Sequence, residues 1–307
     1  MPKVSIIIPT YNSSHFLART VASVLRQSYT DWELLLIDDA SSDQTVEIAE
    51  KLATADKRIK VYQLEYNSGG PATSKNLGWH KAQGEFIAFL DHDDEWLPEK
   101  LTQQLVILES SSDPRLGLVS CSAYLKDESR RKSVVYQKNY QTAPLADLAN
   151  GNFIISSSCV LVKREVFQTV GGFDTTFKIF DDWDMWLRLA EADYSFAFLE
   201  TPLVNYLVHA DNACRNNHRL DEEEFIKVYE KHRPIFERYS PKKTGVYYFY
   251  KKDYQISRKY LWRSFFSASA SWSQRLVSLA YIILPLWPGF EKNFKWIFVR
   301  LGIGNRL

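Results

Sequence analysis

The chain has 307 residues, 45% hydrophobic and 24% charged, with a net charge of +1. These are ordinary values for a globular protein, and with no repeat or biased tract they exclude a low-complexity chain. The charge is unevenly divided: residues 241–307 carry twelve Lys/Arg against two Asp/Glu, while the first 240 hold 26 basic and 35 acidic residues, so two different roles are expected along the chain. Three cysteines without paired spacing, Cys121, Cys159 and Cys214, favour a reducing compartment and no disulfide framework. The N-terminus lacks the long apolar core and small-residue cleavage site of a signal peptide.

Val4-Ser5-Ile6-Ile7-Ile8, stopped by Pro9, reads as a buried strand, with Thr10-Tyr11-Asn12 as a polar loop. A helix is expected from Ser13 or Ser14, with Leu17, Val21, Val24 and Leu25 on one face. Glu33–Ile37 is a second strand, ending at Asp38-Asp39, and Asp43 can cap the helix that follows. Ile59–Leu64 is a third strand, and after the turn Asn67–Pro71 a helix runs to about Lys81. Phe86-Ile87-Ala88-Phe89-Leu90 reads as a strand buried on both faces. It runs straight into Asp91-His92-Asp93-Asp94.

Three carboxylates within four positions repel one another unless something positive lies among them. An Asp-x-Asp strand end supplies hard oxygen ligands for Mg²⁺ or Mn²⁺, and the same residues also suit an acidic, helix-capping turn. Alternation of strand and helix through this half predicts right-handed βαβ units and a parallel sheet covered on both faces. Ligands bind such sheets beyond the carboxyl ends of the strands. Three of those ends, Pro9–Asn12, Asp38-Asp39 and Asp91–Asp94, should therefore line one crevice.

Past residue 100 the rhythm changes. A helix carrying Leu101, Leu105 and Leu108 precedes a strand at Leu116–Cys121, and residues 122–156 carry no clear pattern. Ser157–Val162 reads as a strand, Arg164–Val170 as a short helix and Gly171–Asp174 as a turn. Asp181–Leu189 reads as a helix with an acidic first turn, as the macrodipole favours. Phe196–Leu199 and Leu203–Val208 read as two short strands, and residues 219–239 as one charged helix. Residues 241–307 hold sixteen aromatics. Their most apolar window, Leu276 to Trp287, is well short of the roughly 20 residues that cross a bilayer. Basic residues interleaved with aromatics suit a segment lying on an anionic membrane. A packed helical subdomain and a nucleic-acid surface are the other readings.

The ordered motifs resemble the family 2 glycosyltransferases, which have the GT-A fold. Val4–Asn12 is similar to the family's opening strand, Ser23–Tyr29 to its first helix and turn, and Asp38–Asp43 to its Asp-Asp-x-Ser-x-Asp signature. Asn67-x-Gly69, Asn76-x-Gly78 and Asp91–Asp94 complete the nucleotide-sugar half. Gly171–Asp174, Asp181-Asp182 and Leu187-Arg188-Leu189 resemble the acceptor half. The resemblance implies an α/β fold of the GT-A (Rossmann-like) type, a mostly parallel mixed sheet with helices on both faces. It also implies a nucleotide-sugar-binding half at 1–115 and an acceptor-binding half at 116–218, leaving 219–307 as a basic, aromatic helical extension.

The implied activity is inverting, metal-dependent transfer of a sugar from a UDP-, GDP- or dTDP-linked donor to a hydroxyl of a glycan or lipid-linked acceptor. Pro9, Thr10 and Tyr11 would frame the base, and Asp39 would accept a uracil-type N–H, which an ionised carboxylate can do. Asp91 would lie near the ribose and the metal, with Asp93 as a ligand of Mn²⁺ or Mg²⁺. Lys75 stands where relatives carry Arg, so it would meet the diphosphate without a bidentate fork. Asp182, with Asp181 in place of the family's Glu, would take the proton of the acceptor hydroxyl. Trp183 and Trp186 would offer stacking faces to a sugar, although core packing is the expected role of at least one. His209 resembles a residue near the diphosphate, although Leu207 replaces the usual Arg. Such an enzyme is expected to be cytoplasmic, held on the inner membrane face by residues 241–307, with no nucleic-acid partner. Alternatives on the same fold are a non-catalytic nucleotide-sugar-binding protein, which has no need of Asp182, and a nucleotidyltransferase, whose Gly- and Arg/Lys-rich loop is not the sequence after the first strand.

Overall fold

The computed structural model describes residues 1–127, 132–136, 144–209, 218–267 and 272–283. Cys214, the Asp211-Asn212 end of the His209 motif and the tail beyond residue 283 lie outside these described residues. The first stretch alternates as β1 (Val4–Thr10), α1 (Leu17–Leu25), β2 (Trp32–Asp38), α2 (Thr45–Ala55), β3 (Ile59–Gln63), α3 (Pro71–Lys81) and β4 (Phe86–Phe89). There follow β5 (Glu95–Trp96), α4 (Lys100–Ser110), β6 (Leu116–Asp127), β7 (Lys132–Tyr136), α5 (Pro144–Asn150), β8 (Val160–Lys163), α6 (Arg164–Val170), α7 (Asp181–Glu191) and β9 (Ser195–Val208). The remaining described elements are helices: α8 (His218–Lys231), α9 (Arg233–Tyr239), α10 (Pro241–Tyr250), α11 (Tyr254–Phe265) and α12 (Trp272–Ile283).

One nine-stranded sheet has the order β3-β2-β1-β4-β8-β6-β9-β5, with β7 paired to β6. The first four strands are parallel. β8 enters antiparallel between β4 and β6, and β9 is again parallel to β6, so six of the nine strands point one way. This is the mixed, mostly parallel GT-A-type sheet that the sequence predicts.

Every residue of β1 and β2 is buried, which explains why these strands read as continuous aliphatic runs. Ile6 and Ile8 join the core beneath α1, α2 and α4. Ile7 points to the other face, against α3, where a Cβ on Gly78 would come 2.5 Å from the Ile7 side chain. Helices therefore cover both faces, and Gly78 lets α3 lie directly on β1.

Several boundaries differ from the sequence reading. Helix α1 begins at Leu17, because Ser13 first closes a turn by accepting the Phe16 and Leu17 N–H groups. Asp43 ties two helix starts together, accepting from Thr45 N at 3.0 Å and Ser14 N at 3.1 Å. Ser157–Cys159 is a 3-10 turn, with β8 starting only at Val160. The two short strands expected near 196 and 203 are one strand, β9. Its register against β6 slips between Cys121 and Ser122, and that irregularity accommodates Pro202, which has no N–H for the ladder. The single helix expected over 219–239 breaks at His232, with Pro234 in the first turn of α9, a position proline tolerates.

The chain divides into two compact units, 1–144 with 153–218 and 145–152 with 219–307. The second unit thus takes residues 145–152 from the middle of the chain. Its core is aromatic: Tyr229 stacks on Tyr247 at 4.0 Å and on Phe236 at 5.1 Å, and Phe249 meets Tyr281 edge-on at 4.9 Å. Asn150 Oδ1 accepts from Ser240 Oγ at 3.0 Å.

Within the first unit, one polar clamp joins the two halves of the sheet. Asn76 Nδ2 donates to the Phe173 carbonyl at 2.8 Å, and Asn76 Oδ1 accepts from Phe173 N at 2.8 Å. From the other side, Arg188 donates to the Val170 and Gly172 carbonyls, both at 2.8 Å, and pairs with buried Asp184. A Cβ on Gly172 would lie 2.2 Å from Asn76 Oδ1, so only glycine fits. Asn76→Ala strands two backbone groups of Phe173 and should cost about 2–4 kcal/mol of stability. Denaturant unfolding will measure this, and an unchanged midpoint would show that the clamp is dispensable.

Candidate active site

The crevice floor is built from the carboxyl ends of β1, β2 and β4. Register sets Thr10 beside Asp38, and Leu90 N donates to the Ile7 carbonyl at 3.0 Å, continuing the β1–β4 ladder. The Thr10 hydroxyl donates to Asp38 at 3.2 Å. Buried Asp38 also accepts the Ser41 N–H at 2.9 Å and the Ser41 hydroxyl, so it shapes the turn. Asn12 and Ala40 hold left-handed φ angles of 47° and 55°, strained for non-glycine residues and stabilised here by cross-bonding. Asn12 N donates to Ser41 Oγ, and Asn12 Oδ1 accepts from Ser42 N.

Asp39 is thereby turned toward the Asn67–Gly69 loop. Its backbone N–H is held by the Thr10 carbonyl at 2.8 Å. Its carboxylate accepts from Ser68 N at 2.8 Å, Ser68 Oγ at 3.0 Å and Asn67 Nδ2 at 3.2 Å. Each carboxylate oxygen can accept about two hydrogen bonds, so Oδ1, with Ser68 N as its hydrogen-bond donor, keeps capacity for a further N–H. Pro9 is buried in β1, and Tyr11 is 46% exposed just beyond the strand.

The acidic loop after β4 separates its three carboxylates. Asp91 is held by a serine run: its N–H donates to Ser158 Oγ at 2.9 Å, and its carboxylate accepts from Ser156 Oγ at 2.8 Å and Ser157 Oγ at 3.1 Å. Asp93 Oδ2 lies 2.8 Å from His209 Nε2, and the His209 ring packs on Phe16 with centroids 4.9 Å apart. Asp94 turns into the protein, where Oδ1 accepts the Leu207 N–H at 3.1 Å. Burial, and then the charges of Asp93 and Asp91, push the Asp94 carboxyl well above the usual carboxylate range. Asp94 is therefore an anchor favouring its neutral form. Thr20 Oγ1 and Arg19 hold the loop through the carbonyls of His92 and Asp93.

Helix α7 brings the remaining acids. Lys75, on α3, is fully buried and donates to Asp181 Oδ2 at 3.0 Å, with its ammonium 5.1 Å from the Phe173 ring centre. Burial opposes the charge on Lys75, but Asp181, Asp91 and Asp182 together outweigh it and raise its pKa. Asp182 is half-buried and accepts its neighbour's N–H, from Trp183, at 2.6 Å. Burial and the charge of Asp181 push its carboxyl up to about 7, against the opposing pull of Lys75.

Trp183 requires a correction. It is 4% exposed and meets Phe180 edge-on at 5.6 Å, and Trp186 is fully buried. Both indoles pack the protein interior, leaving almost no ring face for a sugar. Sequence reasoning also missed Ser156, Ser157 and Ser158. Their signal is the run of three hydroxyls before β8, of which Ser157 and Ser158 read as strand and Ser156 falls in the stretch without a clear pattern.

The first unit thus gathers an acceptor carboxylate at Asp39, a hydroxyl-braced Asp91, an Asp93–His209 pair and the Lys75–Asp181–Asp182 group. Among the described residues, no three His, Cys, Asp or Glu form a closed metal cage. Mg²⁺ and Mn²⁺ take oxygen ligands and draw much of their coordination from water and phosphate, so a carboxylate such as Asp93 or Asp91 would suit them without a closed cage.

Residues 5–171 match the model of the family described as glycosyl transferase family 2. TuaG of Bacillus subtilis (strain 168), named for teichuronic acid biosynthesis, is 32% identical over 70% of this chain and 82% of its own. WfgD of Escherichia coli, named a UDP-Glc:alpha-D-GlcNAc-diphosphoundecaprenol beta-1,3-glucosyltransferase, is 45% identical over 34% of this chain and 40% of its own. Among solved structures, S. aureus TarS 1-349 with UDP-GlcNAc superposes with a TM-score of 0.60 at 20% identity, covering 92% of this chain and 80% of that one. The mannosyltransferase PcManGT from Pyrobaculum calidifontis, in complex with GDP-Man and Mn²⁺, gives a TM-score of 0.58 at 21% identity, covering 95% and 82%. These matches and the GT-A-type sheet place the chain in glycosyl transferase family 2, and the protein is a glycosyltransferase.

Proposed function

We propose that the protein transfers a sugar from a nucleotide-diphosphate donor to a hydroxyl of a glycan or lipid-linked acceptor, with inversion at C1. The observation that carries this reading is the placement of Asp182, half-buried in the first turn of α7 next to the Asp181 that pairs with Lys75, where burial and the Asp181 charge raise its carboxyl to about 7. A general base works best with a pKa near the operating pH. Asp182 would take the acceptor hydroxyl's proton as that oxygen bonds to C1. The bond from C1 to the diphosphate oxygen breaks in the same step, and the diphosphate leaves with the electron pair. A single displacement of this kind inverts the anomeric centre.

Asp39, fixed by Asn67 and Ser68, would accept a base N–H, with Pro9, Thr10 and Tyr11 framing the ring. Asp91 would lie at the ribose and the metal. Asp93, backed by His209, would be a ligand for Mn²⁺ or Mg²⁺, whose charge offsets that of the departing diphosphate. Asp181 would be neutralised by Lys75 and so leave Asp182 as the proton acceptor. Support comes from relatives of the same fold: TarS was crystallised with UDP and with UDP-GlcNAc, and PcManGT with GDP-Man and Mn²⁺. The printed name of WfgD supports a lipid-linked acceptor. No described helix is long and apolar enough to cross a membrane. The domain division suggested by the roles is 1–115 for the donor, 116–218 for the acceptor and 219–307 for an extension on the membrane face.

A thermal-shift screen of nucleotide-sugars with Mn²⁺ identifies the donor. With it, Asp182→Asn should reduce transfer by about 10²–10⁴-fold while calorimetry shows donor binding retained. Unfolding of the variant, or full activity, would reject the base assignment. Below its pKa, Asp182 carries a proton and cannot accept another, so kcat/KM should fall about tenfold per pH unit below about 7. Lys75 holds that pKa down, so Lys75→Met should move the limb to higher pH and Lys75→Arg should leave it near its original position. Asp93→Ala should abolish Mn²⁺-stimulated transfer, and wild-type turnover in that variant would remove Asp93 from the metal site.

A further inference from the structure

Helix α11 is amphipathic in the inverted sense. Its inward face is Ser257, Leu261 and Ser264, all buried. Ser257 Oγ donates to the Gly245 carbonyl at 2.9 Å, and Ser264 accepts from Ser278 Oγ of α12 at 3.2 Å. A Cβ on Gly245 would come 2.5 Å from the Leu261 side chain, so α10 and α11 meet at closest approach through small residues. The outward face carries the large apolar groups. Ile256 is 36% exposed, Trp262 40% and Phe266, just past the helix end, 70%. Trp262, Phe265 and Phe266 form one cluster with centroids 5.1–5.5 Å apart. On α12, Leu276 is also 59% exposed.

Single exposed apolar residues need no explanation, but a clustered set on one face marks an interaction surface. The charge on that face identifies the partner. Lys259 and Arg263 are exposed among the aromatics, and from Tyr254 through Phe290 the sequence has no Asp or Glu. A second copy docking face to face would set these cations against each other, and α11 and α12 themselves offer no acid to pair them. An anionic lipid surface satisfies both components: aromatic rings enter at headgroup depth, and Lys and Arg extend their charges to the phosphates.

We infer that the outward face of α11, with Ile256, Lys259, Trp262, Arg263 and Phe266, seats the protein on an anionic bilayer surface. This deepens the proposal of a lipid-linked acceptor and rests on it for its biological sense, but it is read out without any acceptor. The experiment is co-sedimentation of the full chain with phosphatidylcholine vesicles, with and without phosphatidylglycerol. Binding is expected only with the anionic lipid and should weaken as salt rises. Trp262→Ser with Phe266→Ser should lower affinity at least about tenfold at unchanged far-UV circular dichroism. Lys259→Glu with Arg263→Glu should abolish the preference for anionic lipid. Hydrolysis of a soluble nucleotide-sugar by either variant should match wild type, which separates failure of the surface from failure of the catalytic reading. Three results would overturn the inference: no binding of the full chain at low salt, vesicle binding by the Trp262/Phe266 variant equal to wild type, or light scattering showing that these substitutions split a dimer while vesicle binding is unchanged.

Discussion

A buried lysine makes the acidic end of this sheet tenable. Asp91, Asp181 and Asp182 all act on Lys75, and carboxylates brought this close out of water would otherwise protonate or drive their loops apart. Lys75 is on α3 and Asp181 on α7, so the contact is also covalently remote, 106 residues apart in the chain. Its removal would leave uncompensated buried charge, which is usually far more damaging than the pair itself is stabilising. Arginine's fork is not required for this task. A point charge in a tight pocket, flanked by the Phe173 ring, is sufficient.

The acids then divide by environment, although the sequence presents them as equals. Asp38 and Asp94 are spent on backbone geometry, and Asp184 is spent on Arg188. Asp39, Asp91, Asp93 and Asp182 are held in position by hydroxyls, amides or a ring nitrogen. Motif residues with no chemistry of their own prove equally necessary. Asn76 and Gly172 are a matched pair, since the side chain of one occupies the space that a Cβ on the other would need.

What was legible in the sequence was what is local. The aliphatic runs of β1, β2 and β4 stop at the polar residues that line the crevice, so strand ends and candidate acids could be named together. Helix α3 has buried Ala72, Ser74, Lys75 and Gly78, a face with little apolar contrast, and it was found through the turn before it. Pairings across the chain left no periodic trace: Asp91 with Ser156 and Ser157, Lys75 with Asp181, Asp93 with His209. Residues 196–208 read as two strands because the register slip that keeps them one strand around Pro202 lies in the pairing with β6 and not in their own sequence. That both Trp183 and Trp186 pack inward was not legible, because residue type alone does not reveal which way a helix turns its face.

The acidic loop has a consequence for the order of folding. Leu207 N–H holds Asp94 and His209 holds Asp93, at separations of 113 and 116 residues, while the serines that hold Asp91 are 65–67 residues away. Contacts of such range form only after long loops have closed, which is slow and entropically costly. The loop therefore takes its final shape when β9, the last strand among the described residues, docks on β6. The geometry of these carboxylates is thus completed only with the sheet, and a nascent chain that has emerged only as far as α4 carries Asp91, Asp93 and Asp94 without the groups that hold them.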